Sequence, residues 1–164
     1  ELVEVLRRRG WALDQSDVEH GLYAVAWPAR FEVVADEPFF VVDGGHNPQG
    51  IAALMDYVQT WLRDTHRVLV TGVLEDHLQP DMLQSLSELG QEIITITPDS
   101  PRAMQGERLA ELLRQLGKPA QYAPGIHEAM QLAQQTAGSE GVVLVAGSLY
   151  LAGAVRTELG LPWK

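Results

Sequence analysis

The feature that most constrains the fold of this chain is the decapeptide VVDGGHNPQG at residues 41–50. An apolar run ends there in two glycines, which allow backbone conformations that other residues avoid. Asn47 is a favoured helix N-cap, and Pro48 suits the first helical position because an N–H there has no intrahelical partner. The decapeptide therefore predicts a buried strand, a tight turn and a helix within about six residues. Asp43 and His46 lie in the turn, beside backbone N–H groups that can bind an anion or a nucleotide.

The rest of the sequence alternates between strand-like and helix-like segments. Strands are predicted at residues 31–35, 39–42, 68–73, 92–97, 120–122 and 142–146. Helices are predicted at residues 2–10, 15–22, 48–63, 79–89, 105–116, 126–137 and 148–159. Uninterrupted apolar runs such as residues 142–145 are typical of parallel strands covered on both faces. The pattern predicts βαβ units and a parallel sheet, with the first two strands paired as an antiparallel hairpin because too few residues join them for a crossover.

Polar segments follow the carboxyl ends of four predicted strands, at residues 43–46, 72–77, 97–102 and 147–148. Open parallel sheets bind ligands in the crevice outside those ends. Several of the few basic groups lie in or beside predicted loops, where an anionic ligand could use them: Arg30, His46, His77 and Arg102. The sequence therefore predicts that four loops meet at one face of the sheet, where a ligand can bind.

Composition excludes several classes of protein. The formal net charge of −10 argues against a nucleic-acid partner, because such binding needs a basic face. The chain has no cysteine, which excludes disulfide and thiolate chemistry and fits a reducing compartment. No apolar run approaches the roughly 20 residues that span a bilayer. The 164 residues suit one full domain with a remnant of another, in a cytoplasmic protein that contacts no membrane.

Arg30 and Asp43 are the candidate nucleotide-binding residues. A carboxylate can accept hydrogen bonds from both hydroxyls of a ribose, and a guanidinium can hold a phosphate through two parallel bonds. The hairpin between these residues would bring them near each other. Each also has a simpler interpretation, Arg30 as an exposed or ion-paired residue at a strand start and Asp43 as a turn acid.

His46 and Ser148 are candidate contacts for a phosphate or carboxylate oxygen. Their simpler interpretations are a turn histidine bonded to its own backbone and a helix N-cap. A metal site built from the acids and histidines of the two loops, Asp43, His46, Asp76 and His77, lacks tight ligand spacing, and no metal ligand is predicted. The chain also lacks both phosphate-cradling motifs, G-x-x-x-x-G-K-[ST] and G-x-G-x-x-G, so a nucleotide site here lacks its main phosphate holder.

Three motifs occur in a recognisable order: PARFE at residues 28–32, DGGHNP at 43–48 and GSLYL at 147–151. Together they resemble the C-terminal domain of folylpolyglutamate synthase, whose family includes the dihydrofolate synthases and, more distantly, the Mur ligases of cell-wall synthesis. The resemblance covers residues 28–164, which implies a Mur ligase-type C-terminal domain there. Residues 1–27 resemble the tail of the family's central ATPase domain and its connector.

The resemblance also implies a chemistry. These enzymes use ATP to activate a carboxylate as an acyl phosphate, and an incoming amino group then displaces phosphate to form an amide. By resemblance, Arg30 helps hold ATP and Asp43 binds its ribose. His46 is the catalytic residue near the incoming L-glutamate and the phosphoryl group, and Ser148 helps seat the glutamate. The phosphate loop, the magnesium ligands and most of the folate site are expected on the chain's own N-terminal ATPase domain.

Three positions depart from the family pattern. Gly45 stands where the family more often has alanine, and Ala29 where it often has glycine. The loop after the third strand often reads aspartate-lysine-aspartate in the family, whereas here residues 75–77 read EDH. The role of that lysine therefore has no direct counterpart in this chain.

The sequence predicts a three-layer, Rossmann-like α/β domain of an ATP-dependent ligase that adds L-glutamate to a folate. Two alternatives stay open. One is a Mur-type ligase that adds an amino acid to a nucleotide-linked peptide, although the GSLYL motif favours folate. The other is a nucleotide-binding or regulatory module that uses the same crevice without chemistry.

Overall fold

The computed structural model describes residues 1–162 and contains every helix and strand that the sequence predicts. The helices are α1 (Leu2–Arg8), α2 (Gln15–Ala24), α3 (Pro48–Trp61), α4 (Pro80–Leu89), α5 (Gly106–Gln115), α6 (Ile126–Ala137) and α7 (Leu149–Glu158). The strands are β1 (Glu32–Asp36), β2 (Phe39–Val42), β3 (Arg67–Thr71), β4 (Glu92–Thr95), β5 (Ala120–Tyr122) and β6 (Val142–Ala146).

Strands β3 and β4 stop earlier than the sequence predicts, at Thr71 and Thr95. The apolar pattern continues past both ends because Val73 and Ile96 are buried in the loops that follow. Hydrophobicity alone cannot distinguish a buried loop residue from a residue that pairs within a strand. Helix α1 ends at Arg8 rather than at the predicted residue 10, where Gly10 takes a left-handed φ of 87°.

The sheet has the strand order β1-β2-β6-β3-β4-β5. Strands β1 and β2 pair antiparallel, and every other neighbouring pair is parallel. Strand β6, the last in the sequence, lies between β2 and β3, so the carboxyl ends of these three strands meet at one edge. The predicted mostly parallel sheet with an antiparallel hairpin at its start is confirmed.

Helices cover both faces of the sheet and produce the three predicted layers. Alternate strand residues point to opposite faces, so Val41 and Leu144 enter one core whereas Phe40 and Val143 enter the other. The first core receives the buried faces of α3, α4 and α5, and the second receives those of α6 and α7. Helices α1 and α2 bury none of their residues. No helix within residues 1–162 has the length and apolar character needed to cross a membrane.

The turn from β6 to α7 requires glycine at position 147. Gly147 has a φ of 114°, and a Cβ there would lie 2.6 Å from Thr71 Oγ1 and 3.1 Å from Gly72 O. Its N–H donates to Gly45 O at 2.8 Å, which joins the turn after β6 to the turn after β2.

We expect Gly147→Ala to lower the free energy of unfolding by about 2–4 kcal/mol, because the new methyl group adds a clash to backbone strain. Denaturant unfolding measures this loss. Gly160→Ala is the matched control, since Gly160 also has a positive φ of 64° but no atom lies within 4 Å of its added Cβ. The control should lose only about 1–2 kcal/mol, from the left-handed backbone alone. Equal losses in the two variants would contradict the assigned clash.

Candidate functional site

The carboxyl edge of the sheet carries a cavity of about 480 Å³ to which all four predicted loops contribute. It is lined by His46, Leu74, His77, Arg102, Ser148, Leu149 and Tyr150, and we call it the basic cavity. The lining confirms that the loops after β2, β3, β4 and β6 converge. The basic cavity lies next to β6, where the order of strands in the sheet departs from their order in the sequence. Open α/β sheets usually bind ligands at such a position.

A second cavity of about 380 Å³ lies on the hairpin side of the same edge. It is lined by Arg30, Phe31, residues 43–47, Gly50, Ala53, Leu54 and Tyr57, and we call it the hairpin cavity. The hairpin does bring Arg30 and Asp43 to one site, as the sequence predicts. His46 lines both cavities and therefore stands where they adjoin.

Asp43 organises the turn that follows β2. Its Oδ1 accepts a hydrogen bond from Gly45 N at 2.7 Å, and its Oδ2 accepts one from Phe31 N at 2.8 Å. The second bond links the turn to the start of the hairpin, twelve residues earlier. The turn-acid interpretation is therefore correct. Because each carboxylate oxygen has a further lone pair, Asp43 can still accept hydrogen bonds from a ligand in the hairpin cavity.

Arg30 is exposed and keeps most of its donors free. Its Nη1 donates to Ala29 O at 3.0 Å, and its guanidinium carbon lies 5.8 Å from the centre of the Trp27 ring. No acidic side chain within residues 1–162 forms an ion pair with it. The remaining N–H groups are available to an anion in the hairpin cavity.

The residues on either side of Arg30 have strained backbone conformations. Ala29 has a φ of 54° and Phe31 a φ of 45°, in the left-handed region that favours glycine. Such conformations cost on the order of 1–3 kcal/mol each and persist where the surrounding structure enforces them. A glycine at position 29 would take this conformation without strain.

His46 is held by its own turn, as its simpler interpretation predicts. Its Nδ1 lies 2.8 Å from Gly44 O, and since a carbonyl oxygen only accepts, Nδ1 carries the hydrogen. The other ring nitrogen, Nε2, is thereby left for a ligand. The His77 ring lies nearby, with 5.6 Å between the two ring centres.

Ser148 is both an N-cap and a lining residue of the basic cavity. It is 1% exposed, and its Oγ accepts a hydrogen bond from Tyr150 N at 3.1 Å. Its hydroxyl hydrogen remains available to a ligand oxygen, so capping and binding are compatible.

Arg102 and His77, which the sequence places among the basic groups near the predicted site but gives no role, both line the basic cavity. Arg102 Nη1 lies 2.8 Å from Asp76 Oδ2, and His77 Nε2 lies 4.0 Å from Asp76 Oδ1. The charge of Asp76, its hydrogen bond and a further one with Tyr150 raise the pKa of Arg102 above its ordinary value. The available signal was the position of both residues after carboxyl ends of parallel strands.

The described part of the chain offers no metal centre. Within residues 1–162, no group of three or more histidine, aspartate or glutamate side chains is arranged to hold a metal ion. The hydrogen-bond donors of the two cavities suit anions instead. Arg30 lines the hairpin cavity, Arg102 and His77 line the basic cavity, and His46 lines both.

A three-layer α/β fold with adjoining cavities that carry basic side chains at the carboxyl edge of its sheet defines a Rossmann-like domain. Residues 29–149 match the family described as "Mur ligase, glutamate ligase domain", and the chain belongs to that family.

Relatives with known names are folylpolyglutamate synthases. The chain is 31% identical over 150 residues to folylpolyglutamate synthase of Lacticaseibacillus casei, covering 91% of this chain and 33% of that protein. It is 33% identical over 147 residues to a probable bifunctional folylpolyglutamate synthase/dihydropteroate synthase of Haloferax volcanii, covering 88% of this chain and 17% of that protein. The chain thus spans at most about a third of these relatives' length.

Solved structures show the same likeness. A crystal structure of a bifunctional folylpolyglutamate synthase/dihydrofolate synthase with Mn, AMPPNP and L-glutamate bound aligns with a TM-score of 0.84 and 29% identity. The alignment covers 97% of this chain and 38% of that one.

Proposed function

We propose that this chain is the C-terminal domain of an ATP-dependent ligase that adds L-glutamate to a folate through an acyl phosphate. The observation that carries the proposal is the position of His46 on both cavities, where a nucleotide on one side would meet an amino acid on the other. The similarity to folylpolyglutamate synthases, one of them with AMPPNP and L-glutamate bound, supports the same assignment.

The hairpin cavity is assigned to ATP. The free donors of Arg30 suit a phosphate oxygen, and the unused lone pairs of Asp43 suit the hydroxyls of the ribose. Phe31 and Tyr57 form an aromatic wall of this cavity, with 3.6 Å between their ring centres. The chain's missing phosphate-cradling motif means that the β and γ phosphates need residues from outside it.

The basic cavity is assigned to the incoming L-glutamate. This amino acid brings two carboxylates, and the cavity has Arg102, His77 and His46 to receive them, with the Ser148 hydroxyl as a further donor. In a chain with a net charge of −10, the gathering of basic groups in one cavity favours an acidic amino acid over a neutral one.

The proposed reaction has two steps. A folate carboxylate attacks the γ-phosphorus of ATP, releasing ADP and leaving an acyl phosphate. The amino group of glutamate then attacks the acyl carbon, and phosphate leaves as the amide forms. His46, fixed through Nδ1–H, presents Nε2 between the two reactants. In the imidazolium form, which carries a hydrogen on both nitrogens, Nε2 donates to negative charge on the transferring group.

The divalent metal that accompanies ATP is assigned to residues outside this chain. Within residues 1–162 no side-chain group fits a metal ion, so no step is assigned to metal ligands of this domain. We infer that magnesium, the β and γ phosphates and most of the folate are held by an N-terminal ATPase domain of the same protein.

Residues 1–27 are assigned to the tail of that ATPase domain and its connector. Helices α1 and α2 bury no residue, and they carry large exposed side chains: Tyr23 within α2 and Trp11 between the two helices. Exposed aromatic groups of this kind are more usual at a surface that contacts another domain. The family match, which begins at residue 29, supports this boundary.

The test is ligation of labelled L-glutamate by the complete protein with ATP, Mg²⁺ and a folate. We expect ATP-dependent glutamylation of the folate, and no turnover by the 164-residue chain alone because it lacks a phosphate loop. Ligation only with a nucleotide-linked peptide would favour the Mur-type alternative. ATP binding without ligation of either acceptor would favour the non-catalytic module.

A further inference from the structure

An ion pair between buried Arg156 and half-buried Glu32 joins the two ends of the domain. Arg156, in α7, is 2% exposed, and its Nη1 pairs with Glu32 Oε1 at the start of β1. Its Nη2 donates to Pro162 O at 2.6 Å. The two charged residues are 124 positions apart in the sequence.

The ion pair reaches the strained turn that carries Arg30. The other carboxylate oxygen of Glu32, Oε2, accepts a hydrogen bond from Ala29 N at 2.9 Å. On the opposite side of the turn, Ala29 O accepts a bond from Gly44 N at 2.8 Å. The turn is thus held from behind by Glu32 and Arg156 and from the front by the loop that contains Asp43.

The choice of a charged pair needs a reason beyond stability. Apolar residues of similar volume often stabilise a fold as well as a buried ion pair does, because they avoid the desolvation of two charges. The carboxylate of Glu32 has a second oxygen, which accepts the hydrogen bond from Ala29 N. An apolar side chain could not accept this bond. Ala29 has a φ of 54°, a conformation that persists only where its surroundings enforce it.

The protonation of Glu32 agrees with this arrangement. Burial by itself raises the pKa of Glu32, but hydrogen bonds from Arg156 and Ala29 N and the charge of Arg156 hold it below its ordinary value. Glu32 is therefore ionised at neutral pH. Its contribution to stability is present above the pKa of the unfolded chain and is lost as the pH falls through the lower folded pKa.

We propose that Glu32 and Arg156 are positioning residues for nucleotide binding, which hold the turn at residues 29–31 so that Arg30 and Asp43 face the hairpin cavity. The inference rests on the assignment of that cavity to ATP. Neither residue lines the cavity, so both act through the turn rather than by touching the ligand.

The test uses the complete ligase with the double substitution Glu32→Leu and Arg156→Met, which replaces both charges by apolar groups. We expect the dissociation constant of AMPPNP and the KM for ATP to rise about 10-fold or more, the loss expected when one well-placed ligand group is displaced. The KM for L-glutamate should change less than about 2-fold, and the variant should still unfold cooperatively, since removing both charges together leaves neither of them unpaired. The control is the double substitution His127→Ala and Glu158→Gln, which removes a more exposed contact between α6 and α7, the helix of Arg156, and should leave every value unchanged.

A third substitution separates positioning from simple loss of structure. Glycine takes a positive φ without strain, so adding Ala29→Gly to the Glu32 and Arg156 double variant should recover part of the lost AMPPNP affinity. Unchanged AMPPNP affinity in the double variant, or parallel losses for ATP and glutamate without recovery by glycine, would overturn the inference. AMPPNP binding by the parent protein without any ligation would remove the proposed ligase activity yet leave the positioning role measurable. Absence of AMPPNP binding by the parent would overturn both.

Discussion

His46→Ala in the complete ligase is expected to lower kcat by about 10²–10³-fold, the usual loss when one donor to developing charge is removed. His46 is the residue shared by the hairpin cavity and the basic cavity, and its Nδ1 bond to Gly44 O leaves Nε2 to face the reactants. Steady-state kinetics with ATP, a folate and L-glutamate measure the change. The KM for ATP should move little, because Arg30 and Asp43 remain in place.

His77→Ala is the matched control for this substitution. His77 lies next to His46, with 5.6 Å between the ring centres, but it lines only the basic cavity. Its loss should raise the KM for glutamate with a much smaller effect on kcat. Equal losses of kcat in both variants would show that the shared position of His46 has no catalytic significance.

Arg102→Ala should raise the KM for L-glutamate on the order of 10- to 100-fold, the range for losing a charge-assisted hydrogen bond to a carboxylate. The variant should also discriminate less between glutamate and glutamine, because Arg102 is the guanidinium of the basic cavity. Amino-acid competition assays measure both effects.

Arg108→Ala is the control for the loss of an exposed cation. Arg108 Nη1 lies 3.1 Å from Glu75 Oε1, and Glu75 directly precedes Asp76, the partner of Arg102. Unlike Arg102, Arg108 does not line the basic cavity. Its substitution should leave glutamate kinetics unchanged, since exposed ion pairs contribute little. If the two variants behave alike, Arg102 is a surface cation and the glutamate carboxylates bind elsewhere.

Much of the fold follows from local sequence signals. The change from apolar runs to helical spacing marks each strand-helix unit. Asn47 caps α3, because its Oδ1 accepts a hydrogen bond from Gly50 N, as its position before Pro48 predicts. The antiparallel hairpin follows from the short link between its strands. The ends of β3 and β4 do not, because the buried loop residues after them look apolar for reasons of packing rather than pairing.

The sequence also identifies the local roles of the candidate site residues. Asp43 is a turn acid, His46 bonds to its own turn and Ser148 caps a helix, as their simpler interpretations predict. Those interpretations do not compete with binding, because each group keeps a lone pair or a hydrogen for a ligand. Their assignments to ATP and glutamate stay predictions that the experiments above can test.

By itself, the sequence determined the element types and the set of loops that end at one edge of the sheet, because these depend on neighbours along the chain. Only the tertiary structure decided that β6 enters between β2 and β3, and so brings Ser148 to the cavity of His46 and Arg102. The pairing of Arg156 with Glu32 was likewise invisible. Contacts of this kind join residues far apart in the chain, and their partners depend on strand order, which periodicity and spacing do not encode.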